Sequence, residues 1–503
     1  MGVQLRFKVV SVAALVSVAA VGSMAACGSD DGGGPAACQG LSCDGGTSDA
    51  TLADAPADRG SQDGGPSDPG PKDAALADGS ESGSDADAFA GDGGIVCTGQ
   101  PGTLDPSFGD GGMVWLTYPF SGANAVTTQP DGKIVVGGYI GSKLAIVRLM
   151  PDGSLDPAFG TAGLVQMDIL TRNNGVRALA LQSDGKIVVA GEAHATGVPA
   201  PFVLLRQLGD GGLDTSFGDG GVVLTTYAGR DALANGVFVL PGGQIVVGGY
   251  SESRTSPDGS QDYEVARYNA DGTLDLSFGS SGRATIDVRS TADGPGLIAR
   301  AGAQLVVAGA SLDPNDTNRS DISAVRLASN GSLDLSFGAN GKYVSNYGDA
   351  GTQGFALAID SSGRAIIGGM YKADFALVRL GSTGTPDPSW GDGGLITTDF
   401  SGRGDVGTSV LVQPDGRVVA VGFSSVGAAS STIAIGAARY LSTGALDLSF
   451  GTAGRALTMP LADTHLGASG ASLDECHVLA IGTWGYDLAA QPKSAMGIAR
   501  YWR

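Results

Sequence analysis

The chain has 503 residues, a formal net charge of −21, 84 glycines and five cysteines. The phosphates of nucleic acid would repel so acidic a chain, so we expect no nucleic acid partner. The sequence also has no cluster of Lys and Arg that could hold it on an anionic lipid surface.

Residues 1–26 have the layout of a secretory signal peptide. Arg6 and Lys8 precede an apolar stretch from Val9 to Val21, and small residues follow it. We therefore expect an exported protein.

The stretch ends in Met24-Ala25-Ala26-Cys27, which resembles a bacterial lipobox, with Met24 where leucine is usual. The resemblance implies cleavage before Cys27 and attachment of lipid to its sulfur, so that the acylated N-terminus anchors the protein in the lipid bilayer of the cell envelope. Gly28 after the cysteine favours the outer membrane. An ordinary signal peptide, with no role for Cys27, is one alternative, and an uncleaved anchor helix is another, although the apolar run is short for a membrane span.

Residues 27–97 consist mainly of Asp, Gly, Ala, Ser and Pro, with only Arg59 and Lys72 as cations. Such a segment cannot bury enough apolar surface to offset the entropy of ordering it. We predict a disordered acidic tether.

Export would place the cysteines other than Cys27 in an oxidising compartment, where they can pair. They are Cys38, Cys43, Cys97 and Cys476, and four cysteines allow three connectivities. The short spacing of Cys38 and Cys43 favours a local loop. A second pair, Cys97 and Cys476, would join the start of the repeat region to its last copy.

Residues 98–503 are organised around a six-residue motif that recurs at intervals of about 50 to 60 residues. The first copy reads Leu-Asp-Pro-Ser-Phe-Gly. The copies are Leu104–Gly109, Leu155–Gly160, Leu213–Gly218, Leu274–Gly279, Leu333–Gly338, Pro386–Gly391 and Leu446–Gly451.

The same order of strand signals follows each copy. A Gly-rich turn and a short β-prone run, such as 113–118, come first, and a second apolar piece follows. An Asp-Gly turn, such as Asp131-Gly132, leads to the most apolar run, Ile134–Gly138, which is typical of a strand buried on both faces. A fourth strand alternates and ends in an arginine, such as Arg148.

Four antiparallel strands in each of seven copies predict an all-β fold, a seven-bladed β-propeller. The Gly or Ala at the end of each central run suits crowded packing near the axis. A β-helix or a linear solenoid is the alternative, although four strands per copy are too many for one coil of a β-helix. The segment 104–118 is expected to complete the last blade as its missing strand and so remove both sheet edges.

These residues resemble a known family, the delta-60 repeat. The resemblance rests on Asp-Gly-x-Leu-Asp-x-Ser-Phe-Gly, then Asp-Gly-Lys-Ile-Val-Val-x-Gly and a strand ending in Arg. It implies a β-propeller of uncharacterised function, of the kind found in secreted proteins of myxobacteria and their relatives. The fourth and seventh copies, at 301–304 and 474–477, depart from the pattern at the Asp-Gly turn.

Each copy carries one motif aspartate and one strand-end arginine. Because few functions need seven equivalent sites, we expect each Asp to cap a turn or pair with an Arg. A ring of seven ligand-binding charges is the alternative. The residues are Asp105, Asp156, Asp214, Asp275, Asp334, Asp387 and Asp447, with Arg148, Arg206, Arg267, Arg326, Arg379, Arg439 and Arg500. Phe108 and its equivalents are expected to pack between blades.

The sequence assigns no catalytic residue, cofactor or metal. It lacks Gly-x-Ser-x-Gly, His-Glu-x-x-His and the phosphate-binding Gly-x-x-x-x-Gly-Lys-Ser/Thr. His194, His465 and His477 belong to different copies, and we do not expect them to share a site.

The loop after the central strand is longer in the third, fourth and sixth copies, and insertions at one place in a repeat emerge on one face. In the fourth copy this candidate ligand-face loop holds Asp313, Asn315, Asp316 and Asp321. Calcium is one interpretation of these oxygens, but the twelve-residue calcium loop is missing, and a solvated loop is favoured.

The sequence thus favours a binding module that recognises a glycan, an envelope polymer or a protein, and it favours an enzyme less. A polysaccharide hydrolase or lyase that uses carboxylates at the propeller centre is one alternative. A structural spacer in the envelope is another.

Overall fold

The computed structural model describes residues 97–255, 260–348, 351–400, 404–426, 432–459, 464–486 and 493–503. The predicted signal peptide, Cys27, Cys38, Cys43 and the predicted tether up to residue 96 lie outside the described residues. Within the described ranges there are 28 strands and no helix. In that part of the chain, accordingly, no helix is long and apolar enough to cross a membrane.

The first fourteen strands are β1 Met113–Leu116, β2 Ser121–Thr128, β3 Ile134–Ile140, β4 Lys143–Leu149, β5 Leu164–Met167, β6 Arg172–Leu181, β7 Ile187–His194, β8 Phe202–Gln207, β9 Val222–Thr225, β10 Arg230–Val239, β11 Ile245–Ser253, β12 Gln261–Tyr268, β13 Arg283–Ile286 and β14 Asp293–Ala301. The others are β15 Gln304–Asp313, β16 Asp316–Leu327, β17 Lys342–Val344, β18 Thr352–Ile359, β19 Ala365–Tyr371, β20 Asp374–Leu380, β21 Leu395–Thr398, β22 Asp405–Val412, β23 Val418–Val426, β24 Thr432–Tyr440, β25 Arg455–Thr458, β26 Thr464–Leu473, β27 His477–Tyr486 and β28 Lys493–Trp502.

The strands form seven antiparallel sheets of four strands, and together these sheets make a seven-bladed β-propeller. Six blades run in chain order, from β2-β3-β4-β5 to β22-β23-β24-β25. The first strand of each blade contacts the first strands of both neighbouring blades, so these seven inner strands surround the axis. The predicted fold is confirmed.

The seventh blade closes the ring. Its strands are β26, β27, β28 and then β1, which pairs with β28 in a register that places Met113 opposite Ala499. The N-terminal strand therefore completes the last blade, as predicted. The strand itself is shorter than expected, because Leu104–Gly109 forms a turn that reaches β28 through one bridge, from Leu104 to Tyr501.

Chain direction gives the propeller two different faces. The latch face carries the turns from the inner to the second strand, such as 129–133, and the loops from the third to the outer strand, such as 150–163. The variable face is the opposite one. It carries the turns from the second to the third strand, such as 141–142, and the connections between blades, such as 168–171. All seven copies of the six-residue motif lie on the latch face.

The central runs are buried along their length, as predicted; Ile134 to Gly138 of β3 are all buried. The prediction that the arginine-bearing strand alternates is wrong. This strand is the third of its blade, and in β4 every residue from Leu144 to Leu149 is buried. Both of its faces pack against other blades, so neither face of this strand is left for solvent.

The small residue at the end of each central run is required by a β-bulge in the inner strand. In the second blade, for example, the register shifts between Val176 and Ala178. The bulge brings an inner-strand carbonyl close to the glycine: a Cβ at Gly369 would lie 1.7 Å from the Gln353 oxygen. The predicted crowding near the axis is confirmed.

Replacing Gly369 by alanine is expected to lower the free energy of unfolding by about 1–3 kcal/mol or more, since the bulged strand must move. Urea denaturation measures the loss. Gly209→Ala is the control, because its Cβ would lie 3.8 Å from the nearest atom, the Gly185 oxygen. Equal stability of the two variants would contradict the role given to the bulge.

Candidate functional site

The motif aspartate and the strand-end arginine of each blade form an ion pair on the latch face. In the first blade, Arg148 Nε donates to Asp156 Oδ2 at 2.8 Å. The seven Nε–Oδ2 distances lie between 2.8 and 3.0 Å. We call each pair, with its aromatic residue, a latch.

The guanidinium of each latch lies over the motif aromatic ring, from Arg148 over Phe159 at 4.5 Å to Arg439 over Phe450 at 5.0 Å. The aromatic residue packs between blades: Phe159 shares a core cluster with residues of the first and second blades. The arginine also reaches the next blade, as where Arg206 donates to the Ala270 carbonyl at 2.6 Å.

The second oxygen of each latch aspartate caps the motif turn. Asp214 Oδ1 accepts hydrogen bonds from the Ser216 hydroxyl at 2.6 Å and its amide at 3.2 Å. These bonds and the nearby Arg206 lower the pKa of Asp214 to about 2, against the effect of burial. Every latch group is thus used within the fold, and the predicted structural role is confirmed.

The variable face has no such repetition. The residue directly after the glycine that ends each central run pairs with a residue of the inner strand, and its identity changes from blade to blade. These ring positions are Tyr139, Glu192, Tyr250, Ala310, Met370, Phe423 and Thr483. The residue at the β-bulge of the inner strand also differs between blades. Four blades have Asn124, Asn235, Thr408 or Ser469, each of which donates a hydrogen bond to a backbone carbonyl of the next blade. The second and fifth blades have Arg177 and Phe355.

Arg177 forms a charged group with two residues of the neighbouring strand β7. Its Nη2 lies 2.7 Å from Glu192 Oε1, and His194 Nε2 lies 3.6 Å from Glu192 Oε2. Tyr139 of the first blade faces the same group, since both Arg177 and Glu192 act on its pKa. We call Tyr139, Arg177, Glu192 and His194 the mouth cluster.

The electrostatics of the mouth cluster favour charged side chains. Burial works to raise the pKa of Glu192, but Arg177 and His194 outweigh it and hold the pKa below its ordinary value. The hydrogen bond with Glu192 raises the pKa of His194. Arg177 is 17% exposed and His194 35%, so both side chains reach solvent. The cluster can therefore contact a polar or charged ligand.

A small cleft opens beside the ring position that carries alanine. Tyr250, Pro295, Ala310, Gln353 and Phe355 contribute to its walls, because Ala310 leaves the space that larger side chains fill elsewhere. Its volume is about 30 Å³, close to the volume of one water molecule. The cleft cannot enclose a sugar ring.

The loop predicted as a ligand face is the hairpin turn between β15 and β16, and it lies on the variable face. Asp321 is buried and bound by Arg289 at 2.8 Å and Arg319 at 3.1 Å. Asp313 Oδ1 accepts the Asn315 amide at 2.8 Å. Asp316 Oδ1 accepts the Asn318 amide at 3.1 Å. The oxygens of Asp313 and Asp316 serve the hairpin turn, whereas Asp321 lies in β16 and is buried, so it is not part of the solvated loop that the sequence predicted.

His194 lies on the variable face, whereas His477 lies on the latch face beside Asp105, 3.3 Å from its carboxylate. They form no common site. The backbone of His465 is in β26, in the same blade as His477, so the prediction that the three histidines belong to different copies is wrong.

Two groups of three aspartates were missed by the sequence analysis. The 5–6 aspartate cluster consists of Asp374, Asp399 and Asp405, and the 3–4 aspartate cluster of Asp262, Asp287 and Asp293. In each cluster, one oxygen from every carboxylate lies within 4.8 Å of the others. Both lie at blade junctions on the variable face. Aligning the copies on the glycine that ends each central run would have shown that the three aspartates of one cluster occupy the same repeat positions as those of the other.

The seam of the ring carries a disulfide bond between Cys97 and Cys476, with a Cα–Cα distance of 5.4 Å. Cys476 lies in the turn between β26 and β27, on the latch face. The bond therefore fastens the segment before β1 to the blade that β1 completes.

Comparison with known proteins identifies the repeat. Five segments match the family described as a domain of unknown function (DUF5122) beta-propeller, at residues 129–159, 182–217, 240–278, 304–337 and 413–450. Each segment ends at the latch phenylalanine of its blade. The chain therefore carries an uncharacterised β-propeller repeat.

No curated protein matches the sequence. Similar solved structures include a protein of unknown function from Dyadobacter fermentans, at 13% identity and a TM-score of 0.40, covering 65% of this chain and 93% of that one. Virginiamycin B lyase from Staphylococcus aureus has 12% identity and a TM-score of 0.42, covering 77% and 98%. The polysaccharide lyase Uly1 has 10% identity and a TM-score of 0.44, covering 75% and 89%. These similarities carry no argument about function.

Proposed function

We propose that the propeller is a binding module that holds an extended envelope polymer, such as a glycan, on its variable face. The proposal rests on the contrast between the two faces. Seven equivalent latches build one face, whereas the ring positions of the other differ in size, charge and aromatic character. Variation at fixed positions of a repeat is typical of a recognition surface.

The cleft beside Ala310 is too small for most small-molecule ligands. Pockets for small molecules have volumes of about 300–1,000 Å³, whereas the cleft beside Ala310 holds about 30 Å³. Tyr139 offers an amphipathic ring, Arg177 a guanidinium and His194 an imidazole. Such a surface suits a polar chain that crosses several blades.

The mouth cluster does not favour a hydrolase. A general acid needs a raised pKa, and the pKa of Glu192 is lowered by Arg177 and His194. Asp293 has a pKa raised to about 7 by burial, but its side chain is fully buried and cannot touch a substrate.

The signal-peptide layout of residues 1–26 supports a position of this module outside the cell. A lipid on Cys27 would anchor the chain at the envelope, in the outer membrane, and residues 28–97 would separate the propeller from the bilayer. Radiolabelled palmitate that is incorporated into the wild-type chain and absent from Cys27→Ser would support this arrangement.

Substituting the mouth cluster should weaken polymer binding. We expect the double variant Tyr139→Ala and Arg177→Ala to lose at least tenfold in affinity for a retained polysaccharide, because it loses both an aromatic surface and a cation. Affinity electrophoresis against neutral and uronate polysaccharides measures retention, and a melting curve checks the fold.

Leu276→Ser is the matched control, since Leu276 is 73% exposed on the latch face. It should bind like the wild type. Equal loss in both variants would contradict binding through the variable face. Retention by an envelope protein alone would favour a protein ligand, and cleavage of the polymer would favour the lyase or hydrolase.

A further inference from the structure

The cleft beside Ala310 is formed where two small residues face each other. Gly294 of β14 lies opposite Ala310 of β15 in the fourth blade. In every other blade the ring position holds a side chain larger than alanine, as where Tyr139 lies opposite Gly122 and Met370 opposite Gln353. The fourth blade therefore leaves open a space that a side chain fills in its neighbours.

Three largely apolar residues from three blades line this cleft. They are Tyr250 of the third blade, Pro295 of the fourth and Phe355 of the fifth. Such walls give a water molecule few of the two to four polar partners that it needs. Displacing a poorly held water by an apolar group increases affinity. The volume of about 30 Å³ suits one small apolar group, such as a methyl.

Two glutamines also line the cleft, Gln261 of β12 and Gln353 of β18. Both are partly exposed, and neither side chain has a hydrogen-bond partner among the described residues. A Cβ at Gly294 would lie 3.4 Å from Gln261 Oε1 and 4.0 Å from Tyr250 Cγ, so the amide and the ring border the same space. A glutamine amide offers an acceptor oxygen and two N–H donors. Another amide matches both kinds of group.

We propose that this cleft receives the acetamido group of an N-acetylated glycan. The methyl enters between Tyr250, Pro295 and Phe355, while the amide of the sugar exchanges hydrogen bonds with Gln261 or Gln353. The sugar ring remains outside. An acetamido group is neutral, so the net charge of −21 does not repel it. The inference rests on the proposed function and names the chemical class of the polymer.

Two neutral hexasaccharides test the cleft. N-acetylchitohexaose and cellohexaose have the same β-1,4-linked backbone, and the first carries an acetamido group where the second carries a hydroxyl. By isothermal titration we expect the wild type to bind N-acetylchitohexaose about fivefold more tightly or better. One buried methyl contributes about fourfold, and the amide hydrogen bonds add to it.

Ala310→Met fills the cleft with the side chain that the fifth blade carries at the same ring position, Met370. The fold already accommodates methionine there, and a melting curve checks it. The variant should bind the two hexasaccharides equally, with the affinity for cellohexaose unchanged. Ala310→Ser is the matched control, because it leaves the cleft open and should keep the preference of the wild type.

The outcomes separate this inference from the proposed function. Equal binding of the two hexasaccharides by the wild type, or a preference that survives Ala310→Met, would overturn the inference and leave polymer binding intact. Retention by other polysaccharides without binding of either hexasaccharide would do the same. An Ala310→Met variant that loses both hexasaccharides equally would contradict the role given to the methyl. If the wild type binds no polymer at all, the proposed function fails and the inference fails with it.

Discussion

Replacing Asp105 by alanine is expected to lower the free energy of unfolding by about 3–5 kcal/mol, the usual cost of leaving one partner of a buried ion pair uncompensated. Asp105 is 1% exposed, and its carboxylate accepts Arg500 Nε at 2.8 Å and the Ser107 hydroxyl at 2.7 Å. The change leaves the guanidinium buried in the blade that closes the ring. Urea denaturation measures the loss.

Asp152→Ala is the control for this variant. Asp152 is an exposed turn residue on the same face and accepts hydrogen bonds from Ser154. We expect it to change stability little. If both variants lose the same stability, the effect comes from turn capping and the buried ion pair contributes nothing.

Acid should reduce the difference between the wild type and Asp105→Ala. Burial acts to raise the pKa of Asp105, but Ser107 and Arg500 outweigh it and lower the pKa below 3.8. A lowered pKa stabilises the folded state above the ordinary pKa of an unfolded carboxyl, and that contribution is lost as the pH falls through the folded value. The deficit of the variant should therefore shrink below about pH 4.

Removing the disulfide with Cys97→Ser and Cys476→Ser is expected to cost about 2–5 kcal/mol, because the bond restricts the unfolded chain across a long loop. The two cysteines are 379 residues apart in sequence. Thermal denaturation with and without a reducing agent measures the effect. The reducing agent should lower the midpoint of the wild type and leave that of the double variant unchanged.

The single variant Cys97→Ser tests whether the lost stability comes from the missing bond or from replacing the side chains. It should match the double variant, since either change removes the same cross-link. A wild-type midpoint that does not respond to reduction would contradict a contribution of the bond to stability.

The fold could be predicted because its signals are local and repeat. Each Asp-Gly turn predicts a hairpin, and each apolar run that ends in glycine predicts a buried strand. Every copy of the repeat therefore predicts the same kind of blade. The strand from Leu144 to Leu149 was misjudged, because its burial depends on the packing of other blades. That packing is not contained in one copy.

The candidate sites could not be predicted, because they form between copies. Arg177, Glu192 and Tyr139 come from two blades, and Asp405 belongs to a different blade from Asp374 and Asp399. Comparing copies draws attention to residues that recur, such as Asp105 and Arg500, and these proved structural. Residues that differ at equivalent positions carry the recognition signal, but their neighbours are known only once the ring is closed.

The position of the disulfide determines how the propeller would respond to a mechanical load. A pull applied to the chain before Cys97 would otherwise peel β1 from β28, one hydrogen bond at a time. The bond to Cys476 passes the tension instead to the turn that joins β26 and β27, the inner and second strands of the same blade. β1 then bears no load, so the ring should withstand pulling from its N-terminal side and open more easily when the thiols are reduced.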